Sequence, residues 1–403
     1  MKFYKFSLAI LMITSILTSI YSVSATTWDE SKNLSEADYS QIRPRIVVSE
    51  DTIHIVWEDN VKGLIQYRRS IDGGNNWEPV IKLTDSDAVQ QDPDIAVYGD
   101  NVYVVWEDQR NSATSGSDIY LKQSEDSGIT WKAEEQLTIN EADQWNPRIA
   151  AFDEYVHLTW LDERNMATAN YDIYYRRSTT SGQSWDNEQR LTSDPSIQWK
   201  QSIAAYGNNV YVVYEDYREW HYPPGGSKGI IVYFASSTDG GESWSTDNRL
   251  PTEGTWQMYP DVATSEDYVY ITWTDFRGFF ESWLDIWLIV SADNGETWSN
   301  DTRITTDSKL QDYPRIAAFG KQFHIVWQDY RNSNTTGIDI YYRKGSLNAD
   351  YRIDLETPVR LTESGWQYYQ SIAASNNGVH IVWTDERLLE TKGQEIFYKR
   401  GTN

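Results

Sequence analysis

The chain has 403 residues, no cysteine, a formal charge of −25, and 14% aromatic residues that include 19 Trp and 28 Tyr. Without cysteine there is neither disulfide nor thiolate metal site, so packing alone has to supply the stability. The acidic balance excludes nucleic acid and anionic membrane surfaces as natural partners.

In chain order, the first element is a secretory signal over residues 1–25. Lys2 and Lys5 give a positive start, Leu8 to Ile20 an apolar core, and Val23-Ser24-Ala25 a small-residue cleavage site. Its removal leaves residues 26–403 as one domain, at the cell surface or outside the cell, with no later stretch apolar enough to span a membrane. Trp28 to Leu34 then reads as a lone outer strand, because the same Trp-to-Leu/Ile spacing recurs at Trp131–Leu137, Trp185–Leu191 and Trp298–Ile304.

A run of β-branched and aromatic residues ending in Trp-x-Asp-x-Arg follows seven times, at Trp57, Trp106, Trp160, Tyr214, Trp273, Trp327 and Trp383. The first copy alone lacks the Arg. Residues 26–403 divide into seven periods of about 54, a length that signals a propeller or solenoid. Within one period, Pro147–Phe152, Tyr155–Trp160, Asp172–Arg177 and a segment ending at Thr192 read as four short strands. The C-terminal run around Ile396–Tyr398 is a third strand lacking its fourth, which Trp28–Leu34 supplies to close the ring. The fold expected is all-β: a seven-bladed propeller of four-stranded antiparallel blades, with a six-bladed ring as the alternative.

Between the third and fourth strands stands Ser-x-Asp-x-Gly-x-x-Trp, at Ser70–Trp77, Ser124–Trp131, Ser237–Trp244 and Ser291–Trp298, with a variant at Ser178–Trp185. Ser and Asp accept backbone hydrogen bonds, Gly takes a positive φ, and Trp buries its ring beside the turn. The copy at Gly345–Arg352 has lost both Gly and Trp, so a looser loop is expected there. These residues resemble the Asp-box, or bacterial neuraminidase, repeat of sialidases, other secreted glycosidases and several non-catalytic propellers. That resemblance implies the propeller fold, with ligands on the face opposite the box turns; one such scaffold hosts many activities.

Sialidases hold a substrate carboxylate with three Arg, and pair a Tyr nucleophile with a Glu and an Asp acid/base. The resemblance offers one catalytic candidate, Arg43 in Arg43-Pro-Arg-Ile46, whereas Arg45 belongs to a Pro-Arg-Ile that recurs at 147–149 and 314–316. The repeated Asp-x-Arg pairs read as structural ion pairs, since a catalytic residue is needed once and a staple in every blade. His54, His157, His324 and His380 share one strand position and read as half-buried strand residues, leaving His221 outside the pattern. No metal site or cofactor is assigned, although surface calcium is compatible with the acidity. Asn33, Asn300 and Asn334 lie in glycosylation sequons.

Departures from the period point to a binding site. From the motif aromatic to the box Ser the spacing is 18 residues in blades two, three and five, 13 in blade one and 23 in blade four. Trp220, His221 and Tyr222 in that long loop, with Trp256, Phe280, Glu281 and Trp283 beside it, are the candidate ligand contacts. The reading is a secreted, monomeric propeller that binds an extracellular glycan or protein, with a sialidase-like glycoside hydrolase as the alternative.

Overall fold

A computed structural model describes residues 26–114, 116–220, 229–254, 256–277 and 283–402. Seven antiparallel sheets follow one another along the chain, six built from sequential strands and the seventh completed from the N-terminal segment, so the ring has seven blades and the six-bladed alternative falls. Blade one comprises Gln41–Ser49, Thr52–Asp59, Leu64–Ser70 and Ile81–Lys82. The innermost strands of the other six are Gln90–Tyr98, Gln144–Phe152, Gln198–Tyr206, Gln257–Ser265, Gln311–Phe319 and Gln367–Ser375. Each blade is covered on both faces by its neighbours, which is why a second strand such as Asn101–Asp108 is buried at every position after its first.

The core is divided among the interfaces. One cluster joins Tyr103, Val105 and Leu121 of blade two to Ile149, Leu158 and Trp160 of blade three. Another joins Val382, Ile396 and Tyr398 of blade seven to Ile46, Ile55 and Trp57 of blade one. The ring closes as the two chain ends require: Thr27 pairs with Thr402, Trp28 with Gly401, Lys32 with Tyr398 and Asn33 with Phe397. Trp28 packs edge-on against Tyr342 of blade six at 4.8 Å. The box tryptophans Trp77, Trp131 and Trp244 make the same contact, at 4.8–4.9 Å, with Tyr398, Tyr67 and Tyr175 of the preceding blade.

In the Ser-x-Asp turns, Ser237 Oγ accepts from Gly241 N at 2.9 Å and Asp239 Oδ1 from Ser243 N at 2.9 Å. Gly241, at φ +82°, lies so close to Tyr175 that a Cβ would stand 1.8 Å from its hydroxyl. That hydroxyl bonds to His157 Nδ1 at 2.8 Å, and His54, His324 and His380 repeat the pairing. These four imidazoles are fully buried rather than half-buried, at 0–3% exposure. The degenerate copy in blade six is also tighter than expected. Its third strand runs on to Leu347 and pairs Gly345, Ser346 and Leu347 with Leu355, Asp354 and Ile353, because Gly345 offers no Cβ where the Phe323 ring crosses it.

The Asp-x-Arg pairs staple six of the seven blades at the opposite end. Asp162, wholly buried, accepts the Trp160 indole N–H at 2.9 Å and the Arg164 backbone N–H at 2.9 Å. It also takes both arms of the Arg164 guanidinium at 2.8 and 2.6 Å. That guanidinium lies 4.2 Å over Tyr174 and reaches Glu188, just before the outer strand, at 2.8 Å. In blade one, where Val61 stands at the Arg position, the Trp57 indole bonds to Gln41 instead, at 2.7 Å.

Candidate functional site

Near the start of every inner strand the register slips, between Ile42 and Arg45 in blade one and at the equivalent place in the other six. The residue inside each bulge is Arg43, Asp92, Asn146, Lys200, Tyr259, Tyr313 or Tyr369, and all seven have φ between 48° and 56°. For residues other than glycine that conformation is strained, and its recurrence marks a built feature of the frame. Neighbouring side chains hold it in place. Glu215 Oε1 accepts the Tyr259 N–H at 2.7 Å, Glu58 Oε2 the Asp92 N–H at 3.3 Å, and Asp312 Oδ1 the Tyr313 N–H at 2.8 Å. Where the following Pro is replaced by Gln, the amide reaches the previous blade's bulge carbonyl: Gln201 to Asn146 at 2.7 Å, and Gln370 to Tyr313.

The seven bulges line the mouth of an axial chamber of about 670 Å³. Its wall is polar on one side, where Arg43, Asp92, Asn146 and Lys200 follow in order around the ring, and phenolic on the other, where Tyr259, Tyr313 and Tyr369 come from consecutive blades. Tyr259 and Tyr313 stack at 3.9 Å with their hydroxyls 3.0 Å apart. Burial, and then the Tyr313 hydroxyl, push the Tyr259 phenol above its ordinary range. Lys200 Nζ stands 5.9 Å over the Tyr259 ring and 5.4 Å over Trp199. Arg43 is fixed by Glu58 at 2.9 Å and Asp92 at 3.2 Å, and its guanidinium lies 5.6 Å over Tyr369. Behind the wall, burial raises Glu107 and Glu215 to about 7 and Asp312 to about 6. Tyr368, also on the wall, bonds to Glu386, and Gln394 Nε2 donates to both, at 2.6 and 2.9 Å.

No protein-family model and no curated protein matches the sequence. Among solved structures the chain is similar to the phage phi92 endosialidase, with TM-score 0.54, 10% identity, and coverage of 93% of this chain and 69% of that one. It is also similar to a GH93 α-L-arabinofuranosidase of Fusarium graminearum, with TM-score 0.50, 16% identity, and coverage of 74% and 92%. A third likeness is to a Trypanosoma rangeli sialidase, with TM-score 0.50, 12% identity, and coverage of 93% and 59%. At these identities the likeness is one of fold.

The sequence-derived candidates fall in two places. Arg43 lines the axial chamber, and so does Arg45, read from the sequence as a repeat residue. Of the loop candidates, Trp220 and Trp283 are 48% and 55% exposed, and Trp256 packs on Phe276 at 5.9 Å. None of these three lines the chamber, while His221, Tyr222, Phe280 and Glu281 lie outside the described residues. Register puts residues 217–220, the described start of the blade-four loop, on the chamber side, since they leave the second strand at Asp216, opposite Gln198 at the start of the inner strand. Trp220 contacts Tyr217 edge-on at 6.1 Å, and Tyr217 bonds to Glu215 behind the wall at 3.2 Å. Apart from Arg43, the mouth ring escaped the sequence reading. Its signal was a variable residue two places after the Gln that opens every inner strand, followed by Pro in five blades and by Gln in two.

Proposed function

We propose that this propeller is exported and binds an extracellular glycan in its axial chamber, through the mouth ring. The observation that carries the reading is the placement of three tyrosines from consecutive blades at the bulge position, which lines the chamber in all seven blades and changes residue around the ring. Phenol rings offer flat apolar faces to sugar C–H surfaces, and their hydroxyls, with Asp92, Asn146 and Lys200 opposite, suit a ring of sugar hydroxyls. Trp220 and Trp283, on the same side but away from the chamber, serve as outer contacts for a longer chain. Tyr313→Ala is expected to weaken glycan binding at least tenfold, about 1.4 kcal/mol, while leaving the melting temperature within a few degrees of wild type. A glycan array followed by calorimetry on the best ligand measures it; unchanged affinity in a folded Tyr313→Ala protein removes the reading.

One observation favours a second reading, hydrolysis of a glycoside. The Tyr368–Glu386 couple on the chamber wall joins a phenol to a carboxylate able to take its proton, as covalent catalysis by tyrosine requires. Burial, and then the bond to Glu386, raise that phenol, so the ground state keeps the proton on Tyr368. The similar solved structures include a sialidase and an arabinofuranosidase, so chromogenic sialosides and arabinofuranosides are the substrates to screen. Turnover lost in Tyr368→Phe would favour the enzyme, and binding without turnover the lectin-like module.

A further inference from the structure

Beneath the mouth chamber lies a second, of about 150 Å³, and Arg45, Arg148 and Arg315 line both. They come from blades one, three and six, two residues beyond the bulge. The carboxylates lining the lower chamber are Asp94 and Asp261. Asp94 accepts the Ile149 N–H at 2.9 Å and faces Arg45 at 3.4 Å. Asp261 accepts the Ile316 N–H at 2.9 Å and the Ser202 hydroxyl at 2.7 Å, and faces Arg315 at 3.5 Å. Arg148 is left over. It donates to its own Pro147 carbonyl at 2.6 Å, and among the described residues no carboxylate lies within ion-pair distance of it.

Three guanidinium groups against the two carboxylates on this wall leave one positive charge there; Asp92, above, attracts Arg45 and Arg148 but is itself paired with Arg43 at 3.2 Å. A guanidinium does not shed its proton at physiological pH, and a half-buried charge without an ion-pair partner, as Arg148 is, is unfavourable. Burial, and then the charges of Arg148 and Arg315, hold Arg45 down to about 9, a sign of how closely the three cations crowd. Ser371, on the same wall, accepts the Ile46 N–H at 3.4 Å and keeps its own hydroxyl hydrogen to donate. A water occupies roughly 30 Å³ of liquid, so this chamber has room for a small ion and a few waters.

We propose that the lower chamber is a binding site for one small inorganic monoanion of chloride size, held by Arg45, Arg148, Arg315 and the Ser371 hydroxyl. A single negative charge balances the count; a divalent oxyanion would reverse it. The ion ties blades one, three and six together across the axis and stabilises the folded ring by mass action. This assignment is independent of what occupies the mouth chamber.

Crystals of the ligand-free full chain grown in sodium bromide, with anomalous data at the bromine edge, test the site directly. A bromide peak between the three guanidinium groups is expected; water alone there overturns the proposal. In parallel, the melting temperature is followed as chloride replaces the bulky sulfonate HEPES at fixed ionic strength. Wild type is expected to gain several degrees, whereas Arg148→Met, with its charges balanced, responds little and melts above wild type at the lowest chloride. Equal chloride responses in the two proteins overturn the role given to Arg148. If Arg148→Met does not fold, the bromide map of wild type still decides.

Discussion

Replacing His157 by Asn should make the protein less stable at neutral pH and relatively more stable in acid. His157 is wholly buried, its Nδ1 is bonded to Tyr175 at 2.8 Å, and its Nε2 has no partner. Burial, and then the charge of Arg177, hold its pKa at about 3, against 6.5 in an unfolded chain. The folded-state pKa is the lower one, so the unfolded state takes up the proton first as pH falls. Stability from this group is therefore complete above 6.5 and drains away between 6.5 and about 3. Each pH unit in that window costs about 1.4 kcal/mol, so one imidazole loses about 3 kcal/mol between pH 7.5 and 4.5. Asn carries no such proton but loses ring packing, at about 2 kcal/mol by analogy with other buried truncations. Urea unfolding of both proteins should show the difference shifting by about 3 kcal/mol, from wild type ahead by about 2 kcal/mol at pH 7.5 to the Asn variant ahead by about 1 kcal/mol at pH 4.5. A gap that stays the same at both pH values would mean that His157 titrates alike in the two states, and the argument would fail. His54, His324 and His380, held at about 3, 3 and 4 mainly by burial, should add comparable terms.

Two further expectations concern the frame. Arg164→Ala, which leaves the buried Asp162 without its fork, should cost about 2 kcal/mol, discounted for the 20% exposure of the guanidinium, with glycan affinity unchanged. Unchanged stability with lost affinity would place this pair in the binding site. Removing residues 27–34 from the chain beginning at Thr26 should strip the third strand of blade seven, lower the melting temperature and promote aggregation by light scattering; an unaltered melt would show that ring closure contributes little.

The ring was legible because each blade repeats a buried aromatic and an Asp, Trp in six and Tyr214 in blade four, and in five blades the indole N–H bonds to that Asp. Trp28 could be placed from spacing alone because it repeats the box-Trp contact with the preceding blade's tyrosine. Blade six hid its hairpin, since a missing Gly and Trp look like a lost turn while the deciding contact, Phe323 against Gly345, crosses between strands. The axial residues were harder for a geometric reason. Arg45, Arg148 and Arg315 share a repeated Pro-Arg-Ile, and repetition argued for scaffold, yet on a rotation axis equivalent positions meet, so there repetition is also convergence. Nothing in the sequence shows which strand position faces the axis, because bulges with positive φ turn the chain at Arg43 and its six equivalents.

The join between the chain ends also sets how the ring bears load. Thr27 stands opposite Thr402, and from there the paired backbone runs inward through Trp28 and Gly401 to Asn33 and Phe397. A pull applied to the two termini meets this ladder from its open end and breaks one rung at a time, without shearing all of them together. Tension would thus peel blade seven open first and leave the box turns of the other blades unloaded. The same protein pulled between two interior blades would have to shear whole strands, so its resistance to force depends on where it is held.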